Sequence, residues 1–256
     1  MKHDATRRWL ITAVLTALAA MSGSPSLAED GSANELLTQA RTAYTQRAKQ
    51  EQARAAVDLF EKAVTAGAGY DAMWEGARAV YYLGEFPMGK ASRGERVTMF
   101  ERGKALAEKA VKSRPDGADG HFWLGSLTGT WGTARGVLKS LAVHGTVRSE
   151  GERAMKLDHM TECAGPYRLL GRYYFALPGF VGGDNQRSLR LLEKGVQLCP
   201  TNDLGRYYLA DTLHALSRDD EARGHLEHII ATRPDPRFAP EYPFIKRMAK
   251  ALLADL

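Results

Sequence analysis

Long apolar runs, cysteine clusters and any excess of one charge are missing from this 256-residue sequence. Each absence removes a class of function. Lysine and arginine number 35 against 30 aspartates and glutamates, interleaved along the chain. Interleaved charge marks solvated helix faces rather than a stripe that tracks a phosphate backbone, so no nucleic-acid partner is expected. Only two cysteines occur, Cys163 and Cys199, without Cys or His neighbours at ligand spacing, and a thiolate metal site is not expected. His225 and His228 stand three apart, as do Asp211 and His214, but neither couple has a third ligand nearby in sequence. Nucleophile elbow, phosphate loop and paired catalytic carboxylates are lacking, and Gly182-Gly183 alone is no nucleotide fingerprint. The expectation is a protein without catalytic residues, metal or cofactor. No period-two pattern competes with helix anywhere.

The apolar stretch from Trp9 to Met21 is shorter than the roughly 20 residues a membrane span needs. It is followed by Ser22-Gly23-Ser24-Pro25. Arg7-Arg8 before it and Ser26-Leu27-Ala28 after it complete the three parts of a secretory signal. The formal charge of +5 includes Lys2, Arg7 and Arg8 against Asp4 in this segment, which leaves the remainder only mildly basic. Residues 1–28 are therefore expected to be a signal peptide and residues 29–256 one exported, periplasmic repeat domain, with no membrane span after cleavage. Thr6-Arg7-Arg8-Trp9-Leu10 leaves both the twin-arginine and the general export route open.

What is present is a repeat. Glu61-Lys62-Ala63-Val64, Glu108-Lys109-Ala110-Val111, Glu152-Arg153-Ala154-Met155, Glu193-Lys194-Gly195-Val196 and Glu227-His228-Ile229-Ile230 close five helical patterns, with glutamates 47, 44, 41 and 34 residues apart. Five residues before each lies Ala56, Gly103, Val147, Ser188 or Ala222, small in four cases, where two helices must approach closely. Upstream helices carry Ala77, Gly125, Gly171 and Ala210 beside Trp74, Trp123, Tyr167 and Tyr207. The unit is a helix pair. The chain resembles the tetratricopeptide repeat family, best from Asn202 to Pro234, where Leu209-Ala210, Ala222, Leu226 and Pro234 follow its signature and the spacing equals its period of about 34 residues. The fold class expected is all-α: a tetratricopeptide-like α-solenoid of about five helix pairs (33–66, 72–113, 118–158, 164–199, 203–233) with inserted inter-helix loops and a C-terminal capping helix at 242–254.

The stretch Gly165 to Asp184 organises the rest. Gly165-Pro166 opens a helix, since proline is tolerated in a first turn. Pro178-Gly179 ends it, and Phe180, Val181, Gly182, Gly183 and Asp184 form a loop longer and more apolar than a helical hairpin needs. Two further insertions, 84–89 and 131–141, fall between the helices of their pairs. Equivalent turns of a stacked array lie along one edge, so the three are expected to meet in a loop site supplied by Trp131, Leu138, Leu141, Phe180, Val181, Gly182, Gly183 and Asp184. Asp184 is placed to cap the helix entered at Asn185. Cys163 and Cys199 bracket the fourth pair at ends that antiparallel helices bring together. A disulfide and two buried thiols both remain open.

Trp131-Gly132, Lys139-Ser140-Leu141 and Leu177-Pro178-Gly179-Phe180-Val181-Gly182-Gly183-Asp184 resemble the T component associated with TRAP-type periplasmic transport systems. That resemblance implies an exported helical-repeat protein that partners a solute-binding protein, although the lipid-bearing cysteine common in that family is missing. The chain is also weakly similar, through Leu170-Gly171-Arg172-Tyr173, to regulator-of-microtubule-dynamics-like repeat proteins, a setting against which the export signal argues.

First helices of repeat pairs line the concave groove. Their outward positions read Trp74, Arg78 and Tyr81, then Phe122 and Ser126, then Arg168, Arg172 and Phe175, then Tyr207, Asp211 and His214. An aromatic and basic groove suits protein recognition. The functional expectation is a non-catalytic adaptor for a protein partner, such as a solute-binding protein. The alternative is a carrier of a small apolar or amphipathic ligand held by the inserted loops.

Overall fold

Among the described residues eleven α-helices follow one another with almost no intervening chain, because each pattern of small and large apolar residues has one face to bury and must lay it on its neighbour. The computed structural model describes residues 27–256; the expected export signal, up to its last two residues, lies outside the described residues. The pairs are α1 (Leu27–Thr45) with α2 (Gln50–Thr65), α3 (Tyr70–Glu85) with α4 (Arg93–Ser113), α5 (Ala118–Arg135) with α6 (Val137–Leu157), α7 (Thr161–Ala176) with α8 (Asn185–Leu198), and α9 (Asp203–Ala215) with α10 (Asp219–Ala231). A last helix, α11 (Tyr242–Asp255), caps the array. Consecutive helices pack on each other, and α3, α5, α7, α9 and α11 also touch the next odd-numbered helix, which makes them the inner layer. The five expected pairs and the cap are all present. The first helix begins six residues earlier than the periodicity indicates.

Small residues set the spacing between layers. A Cβ on Gly103 would stand 2.6 Å from Val80, and one on Gly171 would stand 2.5 Å from Leu192. Close backbone approach lets Phe60, Phe100, Phe122, Leu192, Leu209 and Leu226 bury completely between the helices. Starts of helices are fixed locally: Ser92 and Glu95 form a reciprocal capping box at α4, and Asn202 accepts from the Gly205 N–H at α9.

One of the three insertions differs from the expectation of a loop. Residues 131–141 are helical: α5 and α6 are each lengthened and meet at Gly136, whose φ of 100° lies in the region open to glycine. The extra residues of the third pair therefore extend the hairpin instead of forming a loop. Between α7 and α8 the chain makes one 3-10 turn, Gly179–Val181, and Asp184 then accepts from the Arg187 N–H at 2.9 Å. Gly183 has no room for a side chain, since a Cβ there would meet the Leu177 carbonyl. The Gly182-Gly183-Asp184 motif is thus a tight turn and a helix cap.

Cys163 and Cys199 are joined by a disulfide, with Cα atoms 5.6 Å apart across the base of the α7–α8 hairpin. Of the two states open from sequence, the bonded one is present. Closing a loop of this length is worth about 3–4 kcal/mol in chain entropy. Cys163→Ser with Cys199→Ser should lower stability by about that amount in urea denaturation. Titration of the denatured protein without reductant should find no free thiol; two thiols would contradict the bond.

Candidate functional site

The groove of the inner layer is bridged at one place. The segment before α11, with its first turn, reaches back to the residues just after α1 and to the C-terminal end of α3. The Arg47 guanidinium, almost wholly buried, donates to both carboxylate oxygens of Glu241 at 3.1 Å and to the Arg237 carbonyl at 2.6 Å. It also lies 4.3 Å from the Tyr44 ring centroid. The Tyr82 hydroxyl donates to the Pro240 carbonyl at 3.5 Å, and the rings of Phe86 and Phe244 lie 5.7 Å apart.

Two adjoining hollows, each partly open to solvent, remain on this face. The first, about 520 Å³, is walled by Tyr44, Arg78, Trp123, Glu162, Asp203 and Glu241 among others. The second, about 370 Å³, lies beyond it and is walled chiefly by Phe122, Tyr173, Tyr207, Tyr208, Arg172 and Met248. Tyr81 and Arg168 belong to both. Burial raises the Tyr81 and Tyr208 phenols above their ordinary range, so both stay neutral donors at physiological pH.

Charge inside is largely matched. Arg78 pairs with Glu162 at 3.4 Å, Arg96 with Glu85 at 2.9 Å and Arg172 with Asp211 at 2.6 Å. Burial nonetheless holds the Glu85 and Glu241 carboxyls above the usual range, a stronger effect than the opposing pull of Arg96 and Arg47. Trp123 Nε1 and Arg78 Nε are buried without a hydrogen-bond partner. Glu162 reaches Arg78 from a strained turn: Glu162, Cys163 and Ala164 all have positive φ, at 48°, 59° and 58°. Non-glycine residues there cost about 1–2 kcal/mol each, and surrounding bonds must hold them. The disulfide at Cys163 does so, together with the Asn202 amide, which donates to the Cys163 carbonyl at 3.0 Å. Regular α7 therefore starts at Gly165-Pro166, as the sequence indicates.

Of the expected groove residues, Arg78, Tyr81, Phe122, Ser126, Arg168, Arg172 and Tyr207 line one or both hollows. Phe175 lies under Arg172 at 4.6 Å, and Asp211 serves as that arginine's carboxylate. Trp74 lines neither: it donates to Asp71 at 3.3 Å and stacks under Arg78. His214 sits at the end of α9 against Asp219 at 2.8 Å. The loop residues line neither hollow. Trp131 donates to Glu101 at 3.0 Å beside Arg135, and Leu141 and Val181 are half-buried. Leu138 and Phe180 project into solvent.

Residues the groove reading missed are Tyr44 and Arg47 on α1 and just after it, and Glu241 before α11. Tyr44 and Arg47 continue from Ala40 at the four-and-three spacing used for the later inner helices, so the same rule extended to the first pair would have found them. Nothing local marks Glu241. Among the described residues no helix is long and apolar enough to cross a membrane, and no three His, Cys, Asp or Glu side chains gather as a metal site.

The family model for Regulator of microtubule dynamics protein 1-3 matches residues 36–178. A crystal structure of a thermophilic TPR protein from Thermus thermophilus superposes with a TM-score of 0.61 over 86% of this chain and 99% of that one, at 18% identity. At that identity the likeness speaks for the fold alone. No curated protein sequence matches the chain.

A pH test follows from Glu241. Its carboxyl is raised by burial, so its contribution to stability is present at acid pH and lost as pH rises through the raised value. Glu241→Gln cannot lose that contribution. The stability of the variant relative to the parent should therefore climb as pH rises above the ordinary glutamate value of about 4.3, measured by urea denaturation. A falling difference would show that the Arg47 pairing outweighs burial.

Proposed function

We infer a function from the premise that this chain belongs to the Regulator of microtubule dynamics protein 1-3 family. It is a non-catalytic tetratricopeptide-like repeat protein that acts as a protein-binding adaptor. The family name describes the proteins it was given to; for this chain the reading extends to protein binding and not to microtubules. The weaker of the two similarities read from sequence, through Leu170-Gly171-Arg172-Tyr173, is to the family now shown. The resemblance to the T component of TRAP-type systems remains a proposal about setting. What supports it is the Leu177–Asp184 loop, the signal-like residues 1–28 and a disulfide, a bond typical of oxidising compartments. In that setting the chain is exported and its partner is a periplasmic solute-binding protein.

One observation carries the adaptor reading. Val137 and Leu138 are 74% and 83% exposed at the tip of the α5–α6 hairpin, and Phe180 is 87% exposed on the α7–α8 turn of the next pair. Neighbouring turns of a repeat array share an edge, and large apolar side chains gathered on an edge mark a protein contact. The concave face, where the sequence placed the partner, is crossed by the segment before α11. A second reading is favoured by the hollows themselves: a small ligand carried there, between Tyr81, Phe122 and Tyr208, and not among the inserted loops.

Leu138→Asp with Phe180→Asp should remove partner capture by the tagged protein from a native extract, with melting unchanged because neither side chain packs inside. Undiminished capture would rule this edge out. The partner segment would then have to enter the hollow.

A further inference from the structure

Among the described residues six arginines line the two hollows, and five have a carboxylate. Arg47 is held by Glu241, Arg78 by Glu162, Arg96 by Glu85, Arg172 by Asp211 and Arg237 by Asp235. Arg168 is the exception. Among the described residues its guanidinium has no ion pair and no hydrogen bond, and it lies 5.7 Å from the Phe122 ring centroid. It stands in the wall shared by both hollows. A half-buried guanidinium without a counter-charge, in a space where every other arginine has one, is a place made for an anion.

The two sides of Arg168 are not equivalent. On the first hollow's side stands Asp203, a buried carboxylate with no ion pair among the described residues, which would repel an anion. On the second side Glu85, the only lining carboxylate among the described residues, is already held by Arg96. That side also presents the rings of Tyr81, Phe122 and Tyr208 around about 370 Å³, within the range of small-ligand sites. One unmatched positive charge balances one negative charge, and the guanidinium fork fits a carboxylate through two parallel hydrogen bonds.

We propose that the second hollow binds a small monocarboxylate with an aromatic or short apolar body, its carboxylate taken by Arg168 and its body held among Tyr81, Phe122 and Tyr208. This rests on the reading of the hollow as a ligand site and adds the head group. The body contributes through burial and stacking on the tyrosine faces, and the head group sets the orientation.

Three probes that share one body and differ in head group test it: 3-phenylpropanoate, 3-phenylpropanol and 3-phenylpropyl phosphate, titrated calorimetrically into the full chain. The carboxylate should bind about tenfold or more tighter than the alcohol, the usual scale of a charge-assisted pair. Arg168→Met should erase that preference by weakening carboxylate binding far more than alcohol binding, and Arg168→Lys should keep part of it. The comparison within the parent protein needs no variant, so a poorly folded variant cannot excuse a failure. Equal binding of carboxylate and alcohol, or an unaltered preference in Arg168→Met, would overturn the head-group assignment and leave the hollow as an apolar ligand site. Tighter binding of the phosphate than the carboxylate would overturn the choice of a monoanion. If none of the three binds at millimolar concentration, the ligand-site reading falls with it.

Discussion

The interior of this molecule depends on one buried ion pair. Arg47, just past the end of the first helix, meets Glu241, just before the last, at 3.0 Å. A repeat array contacts only its neighbours, and its concave face is ordinarily open. Here the two ends of the described array touch across the axis, and the concavity becomes a pair of hollows. A buried pair of this kind is weak as a source of stability, because desolvation offsets most of its attraction. Its use is specification. The Arg47 guanidinium also takes the Arg237 and Tyr44 carbonyls and lies on the Tyr44 and Tyr82 rings, so only one placement of the final segment satisfies it.

The opposite wall is fixed by covalent means. Three consecutive residues with positive φ before regular α7 are held by the disulfide to Cys199 and by the Asn202 amide, and they hold the Glu162 carboxylate against Arg78. Strain is concentrated where the chain must turn into the hollow, as is common at sites that need a fixed geometry. The next turn, at Gly182-Gly183-Asp184, is relaxed: glycines occupy the demanding positions and aspartate caps α8. The conspicuous motif is therefore scaffold, and the inconspicuous Glu162-Cys163-Ala164 shapes the site.

The two surfaces of the protein differ in chemistry in a way that suits two roles. The edge of hairpin tips exposes Val137, Leu138 and Phe180, apolar groups that nothing in the described chain covers. The hollow is aromatic and cationic, with its charges almost all internally matched. An adaptor that docks a protein on its edge and holds a small molecule within would use both, and the shared α5–α6 and α7–α8 hairpins join them physically.

Sequence periodicity alone determined the helix pairs, their order, the capping helix and most of the inner-facing side chains from Arg78 to Tyr207, because these follow from local spacing and from small residues where helices cross. It also put Cys163 and Cys199 at matching ends of one hairpin. The bridging of the concave face was not legible, since Arg47 and Glu241 are 194 residues apart and no local pattern links them. Nor was the fate of residues 131–141: a glycine at their centre reads as a loop until the packing of α5 on α6 shows that both helices run through to it. The unmatched charge of Arg168 is likewise a tertiary fact. At its three-and-four spacing Arg168 reads the same as Arg172, and only the arrangement in space gives one of them Asp211 and leaves the other without a carboxylate.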